Sequence, residues 1–407
     1  MMTRNSFGSI FLCGLCALCA LGAKKTADTG NGYEKHWLSG MFYSEGANFG
    51  DFNHDGKLDV VSGPYIWDGP AFTNRHEYTT AVAVDPLAYS ENFFAFTCDV
   101  NHDGADDIVT IGFPGKEAFW YANPKDPKNT NWEKHLLFPT VDDESPTLTN
   151  LVGDDFPELV CCSGGTIGYA TPDKSDPTKP WAWHAISDKA GYQRFTHGLG
   201  VGDVNGDGRL DVIEKSGWWE QPESLDGDPK WKKHEFDFSG PGSSQMYAYD
   251  VDGDGDNDVI TALAAHGYGL AWYENTKDDK GNITFKQHLI LSPDPNQKMN
   301  DVQFSQLHAV DLIDMDGDGL KDIVTGKRYW AHGPHGDPDP EGTPYLYWFK
   351  LVRDGGEKKS GAAHFEPHLI DAHSGVGTQV VAKDANGDGK PDVIVGNKRG
   401  TMLFLSK

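Results

Sequence analysis

Six times along this chain of 407 residues the same nine-residue pattern returns, Asp-x-Asn/Asp-x-Asp-Gly-x-x-Asp, and its side chains are those of a site for a hard cation. Positions 1, 3, 5 and 9 are Asp51, Asn53, Asp55 and Asp59 in the first copy and Asp99, Asn101, Asp103 and Asp107 in the second. Later copies supply Asp203, Asn205, Asp207 and Asp211; Asp250, Asp252, Asp254 and Asp258; Asp314, Asp316, Asp318 and Asp322; and Asp384, Asn386, Asp388 and Asp392. Oxygens at this spacing can converge on one ion, and the glycine at position 6 lets the backbone turn sharply enough to bring them together. Calcium is the expected occupant, at about six sites. An EF-hand loop opens the same way but closes on a Glu at position 12. Only the copy at Asp203 has one, Glu214, and each loop is followed by a short β-branched run such as VVSG, IVTIG or VIVG. The loops therefore join strands.

A second set of residues offers different chemistry. Six places ahead of each loop stand Glu45, Phe93, His197, Ser244, His308 and Thr378, with Glu144 ahead of a degenerate loop at 150–160. If the loops share one face, these positions share the opposite one and point at a common axis. Two Glu and two His there fit either the hydrogen-bonded plugs of a wet channel or a second divalent metal, held by His197, His308 or His332 with Glu45 or Glu144. The longest connection on that face, 326–344, carries Lys327, Arg328, Tyr329, His332, His335 and Asp337, and shorter ones carry Trp67, Glu214, Lys215, Trp218, His266, Lys398 and Arg399. Aromatic faces beside hydrogen-bonding groups suit a sugar ring, which makes Trp67, Trp218, Tyr329, His332, Arg328 and His266 the expected ligand contacts. The ligand of this face is expected to be a carbohydrate or a protein.

The elements that must position these groups are strands. A piece of the form aromatic-x-x-His-x-apolar recurs (WEKHLL, WAWHAI, WKKHEF, FKQHLI, FEPHLI, with YEKHWL at Tyr33), as does an aromatic piece (FWYANP, WWEQP, WYENT, LYWFKL). The unit reads strand, acidic loop, strand, aromatic strand, His strand. The recurring His36, His135, His184, His234, His288 and His368 are expected to be structural, each bonded to a neighbouring unit. His54 and His102, at position 4 of their loops, read as surface residues. Between Asp99 and Asp203 lies a gap of 104 residues, and NLVGDDFPELV in its middle reads as a loop that has lost its ligands. Seven four-stranded units around an axis make an all-β, seven-bladed propeller. The last unit lacks its His strand and the first structured piece is a lone His strand, so the N-terminal strand is expected to complete the last blade and latch the ring.

Composition sets the setting. A formal charge of −26 includes the loop aspartates, roughly half of whose excess six divalent ions would return. So acidic a surface argues against nucleic acid. Residues 1–23 have a basic start, an apolar run and small residues at Gly22 and Ala23, the pattern of a signal peptide and too short for a membrane span. Residues 24–32 read as a polar tether and 33–407 as the propeller. A secreted or periplasmic setting follows, with lipid anchoring through Cys13, Cys16 or Cys19 left open. Cys98, Cys161 and Cys162 remain beyond the leader, an odd number that builds no disulfide framework.

The acidic loops resemble the FG-GAP or VCBS repeats of integrin-like propellers across residues 33–407. That resemblance implies fold and calcium, while such repeats serve adhesion, glycan binding and catalysis alike. A narrower one covers THGLGVGDVNGDGRLDVIEKSGWWEQP (196–222) and TGKRYWAHG (325–333), which look like the propeller domain of aldos-2-ulose dehydratase, a fungal enzyme that removes water from keto sugars with a divalent metal. It implies a β-elimination in which His197 and His308 serve as base and ligand, Lys215 and Lys327 polarise the carbonyl, and Glu45 or Glu214 acts as the acid. The cupin domain of that enzyme has no counterpart in this chain. The alternative is a propeller whose pocket binds a glycan or a protein without catalysis.

Overall fold

A computed structural model describes residues 26–126, 129–353 and 363–407. The expected leader, 1–23, lies outside the described residues. Among the described residues the chain is all β apart from one 3-10 turn, Gly333–His335, and no helix is long and apolar enough to cross a membrane.

Each sequence unit becomes an antiparallel set of four strands in chain order. The first is Ala47–Gly50, Asp59–Ser62, Tyr65–Trp67 and Arg75–Glu77, and the second is Phe94–Cys98, Asp107–Ile111, Lys116–Ala122 and Glu133–Val141. The degenerate unit follows the same plan, with Thr147–Thr149, Glu158–Ser163, Thr166–Thr171 and Ala182–Ala185. The hydrogen-bonded sheets number six because the units at Asp203 and Asp250 share an eight-stranded sheet. Its halves meet through one parallel pairing, Leu199–Val201 against Gln245–Tyr247, between the first strands of the two units. The second strand of each unit is the β-branched run after the loop, and it is buried along nearly its whole length.

Apolar clusters form between successive sets. Phe52 and Val61 of the first set pack with Ile108 and Tyr121 of the second, and the series returns on itself where Ala385 and Ile394 of the last pack with Ala47 and Phe49 of the first. The first strands surround an axial cavity of about 480 Å³ lined by Asn48, Phe94, Thr147, Val201, Gln245, Val310 and Gln379. The arrangement is a β-propeller.

The ends meet as expected. Tyr33–Ser39 pairs antiparallel with Gly400–Ser406 and completes the last sheet. The tether expectation is corrected in part, because Thr26–Asp28 folds back as an edge strand on Glu34–His36. Lys35 on the closing strand reaches Asp371 of the preceding unit at 2.9 Å, with both side chains buried. A second correction concerns the recurring histidines: His184 does reach Asp228 of the next unit, but His135, His234, His288 and His368 stack on aromatic residues of their own sheet. His234 stacks on Trp218 at 4.0 Å and His288 on Trp272 at 4.2 Å, each directly across the strand pair. His54 and His102 also hold left-handed backbone, φ 59° and 55°, at a position that is glycine in the other four acidic loops.

Removing one partner of a buried ion pair strands the other's charge and costs about 3–5 kcal/mol. Lys35→Met should therefore lower the denaturation midpoint clearly, and adding Asp371→Leu should recover part of the loss. A midpoint unchanged by Lys35→Met would mean that this contact does not help to fasten the ring.

Candidate metal centre

The residue ahead of each first strand lies at the opposite end of that strand from the acidic loop. Backbone hydrogen bonds stitch neighbouring units on this face: Glu45 N to Asn92 O, Glu144 N to Thr196 O, Gln306 N to Gly267 O and Tyr329 N to Val376 O. Thr378 N to Glu45 O closes the belt. Within it, Glu144, His197, His266 and His308 come from four different units and bring one ligand atom each into a single cluster. His197 Nε2 lies 3.0 Å from His266 Nε2 and 3.3 Å from His308 Nε2. Glu144 Oε2 lies 3.2 Å from His308 Nε2 and 3.7 Å from His197 Nε2. Four ligands each about 2.0–2.1 Å from a tetrahedral ion stand roughly 3.3 Å apart. The donor set fits a divalent transition metal.

The surroundings favour that use. His197 Nδ1 lies 2.8 Å from the Phe195 carbonyl, which can only accept, so the proton sits on Nδ1 and the Nε2 lone pair faces the cluster. Phe195 takes φ 69° to present that carbonyl. His266 Nδ1 faces Asp337 Oδ1 at 3.3 Å, and the same carboxylate oxygen is 2.8 Å from His332 Nδ1. Burial holds the His197 and His308 imidazoles below their usual range and hence neutral. Burial also opposes the Glu144 charge, but the His308 hydrogen bond and the fixed Arg328 charge outweigh it and keep the carboxyl well below its ordinary range. The result is two neutral imidazoles, His197 and His308, beside one carboxylate, the forms a metal requires.

The sequence expectations divide. His197, His308 and His266 are brought together, with His266 a candidate ligand where it was expected to touch substrate. Glu144 takes the acidic position, while Glu45 pairs with the buried Arg328, whose other arm lies 3.6 Å from Glu144. His332 stands one step out, half exposed, its ring 4.5 Å from His266. Tyr329 stacks on Trp330 at 4.9 Å beside it. Lys327 is buried and donates to Ser305 Oγ at 2.6 Å, with burial pushing its ammonium down to about 8. Asp337 and Phe195 were not singled out for roles in this centre. The run HGPHGD held a hint of Asp337, whereas nothing in the sequence marks a carbonyl as a histidine acceptor.

Four expectations are corrected. Trp67 and Trp218 are each 2% exposed and belong to the core between units, so neither reaches a ligand. Their strands turn them inward, and Trp218 is covered by His234. Glu214 is held by Ser216, Tyr192 and Lys233, which ties it to its own hairpin and away from the imidazoles. Lys215 sits in the two-residue turn after Glu214, where its carbonyl accepts from Phe238 and Ser239, and it makes no ion pair with Glu45 or Glu144. Trp218→Ala should cost about 3–5 kcal/mol as a core truncation. A ligand-contact role predicts an unchanged melting temperature instead, so thermal unfolding separates the two.

On the other face, Asp250, Asp252 and Asp254 converge within 4.8 Å, as do Asp314, Asp316 and Asp322. The remaining four acidic loops have Asn at position 3. In all six the position-9 aspartate is buried and accepts at least two backbone N–H groups, three at Asp392. Asp59 takes Phe52 N at 3.0 Å and Gly69 N at 2.8 Å, and Asp322 takes Met315 N and Leu351 N, both at 2.8 Å. That acid is therefore a clamp between loop and third strand as well as a candidate ligand.

The pattern of the FG-GAP-like repeat matches residues 250–325 and 314–395. No curated protein matches the chain. Among solved structures it is similar to a lectin from Agrocybe aegerita that recognises non-reducing terminal N-acetylglucosamine (16% identity, 88% of this chain and 85% of that one, TM-score 0.47). It is also similar to BBS1N in complex with ARL6DN (11%, 94% and 97%, 0.45) and to the rhamnogalacturonan lyase YesW (11%, 94% and 74%, 0.43). Residues 250–395 are thus similar to FG-GAP-like repeats, within a chain whose described residues fold as a β-propeller.

Proposed function

We propose that the protein is an exported propeller of seven four-stranded blades, stabilised by calcium in its acidic loops, which binds a second divalent metal through Glu144, His197, His266 and His308 and removes water from a keto sugar. The convergence of three imidazole Nε2 atoms and one carboxylate oxygen from four units carries this reading. The count of seven is supported by the eight-stranded sheet dividing into two four-stranded halves at its single parallel pairing. Calcium is supported by the three-carboxylate clusters at Asp250 and Asp314, and export by the leader-like 1–23.

When bound, the metal would supply a Lewis acid for a substrate carbonyl. The protein's own part is to hold the ligands fixed, with His197 and His308 neutral and Glu144 charged, and to move a proton. His332 suits the second task, because Asp337 engages its Nδ1 and its side chain is half exposed, which leaves Nε2 to act as a base. In the proposed elimination His332 Nε2 takes the C–H proton beside the carbonyl, the electron pair forms the C=C bond, and the β-hydroxyl leaves with that proton as water. With both His197 and His308 turned into the cluster, neither is free to be the base.

Metal analysis of the purified chain should find calcium and one further divalent ion per molecule. His266→Ala, at a partly exposed position, should lose that ion and keep the calcium. A wild type without it, or a variant that retains it, would overturn the centre. Incubation with a 2-keto or 3-keto sugar should produce enone absorbance that falls at least tenfold in His332→Ala; no enone with metal-loaded wild type rejects the elimination. Excess chelator should lower the melting temperature by several degrees, since each site held at a hundred times its Kd contributes about 2.7 kcal/mol. An unchanged melting curve would remove calcium from the loops.

A further inference from the structure

Beside the metal centre lies a wall of cations that the chain itself leaves without carboxylate partners. The turn between Asp392–Asn397 and Gly400–Ser406 carries Lys398 and Arg399. Lys398 is 5% exposed, and its ammonium lies 4.6 Å from the centre of the Tyr89 ring. Arg399 lies 5.0 Å from the Tyr329 ring. Arg194 covers Phe113 at 5.0 Å and Phe195 at 4.6 Å. None of the three forms an ion pair among the described residues, and the Lys398 ammonium has no hydrogen bond there either.

These groups are contiguous with the centre. Tyr89 packs on Phe113 at 4.9 Å and near Phe93 at 6.1 Å, and Phe93 lies under Arg328, which faces Glu144. Phe113 meets Phe195, whose carbonyl orients His197. The cationic turn is also built to stay in place. Asn397, 1% exposed, donates to Ser374 O at 3.0 Å and accepts from Arg399 N at 2.8 Å. In a chain of net charge −26, holding a buried ammonium over a ring with no ion pair among the described residues, Glu45 and Asp337 attracting it only from farther off, runs against both supply and desolvation. Burial lowers the Lys398 pKa, which is the electrostatic mark of that cost.

Resting on the carbohydrate reading above, we propose that the substrate is an anionic sugar whose carboxylate is received by Lys398 and Arg399, with the Tyr89, Phe113 and Tyr329 rings against its apolar face. Lys398 gives a point charge and Arg399 a planar fork, a pair suited to one carboxylate, and the rings take the C–H surface of a pyranose.

The test is calorimetric titration of the full-length, metal-assayed protein with glucuronate, glucose and glucose 6-sulfate. Wild type should prefer glucuronate over glucose by tenfold or more, and the preference should shrink as salt rises. Lys398→Met/Arg399→Gln should lose the preference while keeping its melting temperature and metal content. Lys398→Arg should retain it, which separates charge from mere packing. Equal binding of glucose and glucuronate, no binding of either, or a preference that survives the double variant would overturn the proposal, and tighter binding of the sulfate ester would overturn the assignment to a carboxylate. Failure of the metal reading is seen separately: protein without the second metal that still discriminates glucuronate rejects the centre and keeps this site, whereas metal-loaded protein without discrimination rejects this site alone.

Discussion

Closure of the ring is the constraint on which the site depends. Glu144, His197, His266 and His308 belong to four separate units, and no two of them are near in sequence. They meet because backbone hydrogen bonds join neighbouring units on that face, Glu144 N to Thr196 O and Gln306 N to Gly267 O among them, and because Thr378 N finds Glu45 O at the seam. The pairing of Tyr33–Ser39 with Gly400–Ser406 completes the last unit, and the buried Lys35–Asp371 contact ties that closing strand to the unit before it. An open array would leave the imidazoles as isolated side chains on solvent-facing turns. Stability of the closing strand and competence of the cluster are thus one property read at two places.

Charge is sorted between the two faces. The acidic loops gather aspartates on one side, whereas the side bearing the cluster holds Lys327, Arg328, Lys398 and Arg399. Arg328 is the pivot of that side. Fully desolvated, it is tolerable only because Glu45 and Glu144 flank it, and by the same contact it fixes where the Glu144 carboxylate points. A carboxylate so neutralised suits a centre that must hold a metal ion without drawing in the protons that would compete for it. Amide side chains separate this region from the axial cavity: Gln245 reaches Thr378 O at 3.2 Å, and Gln379 and Asn48 both donate to Ala95 O.

Much of this was legible in the sequence because repetition fixes geometry. Six equal loops set the strand order, and counting back from them found Glu45, Glu144, His197 and His308 before any coordinates. Repetition says nothing about side chains that occur once. Whether Glu45 or Glu144 would join the histidines depended on where Arg328 settled, and its position in a single long connection has no periodic counterpart. Trp67 and Trp218 misled for a related reason: a tryptophan near a loop is as well suited to a sugar as to a core, and only the direction of its strand decides. Of the strand histidines His184 bonds to the next unit, at Asp228, while His135, His234, His288 and His368 stack on the aromatic strand, a cross-strand contact that pattern alone does not distinguish from one between sheets.

The degenerate third unit separates two tasks that the acidic motif performs together. It has Asn150, Val152 and Asp154 where ligands would stand, and Lys174 reaches Asp154 at 2.8 Å, so a protein cation already occupies the loop's remaining acid. Yet position 9 is still acidic. Glu158 accepts Leu151 N at 2.8 Å and Val152 N at 3.2 Å, the same contact that Asp59 makes with Phe52 N. The turn from first to second strand therefore needs a buried carboxylate to satisfy its backbone N–H groups whether or not a cation is held, because those groups have no other acceptor once the turn is packed. The position-9 acid of each motif belongs first to the fold and only then to an ion, while positions 1 and 3, here Asn150 and Val152, are the ones that no longer carry an acid, Asn150 Oδ1 still accepting from Gly153 N at 2.7 Å.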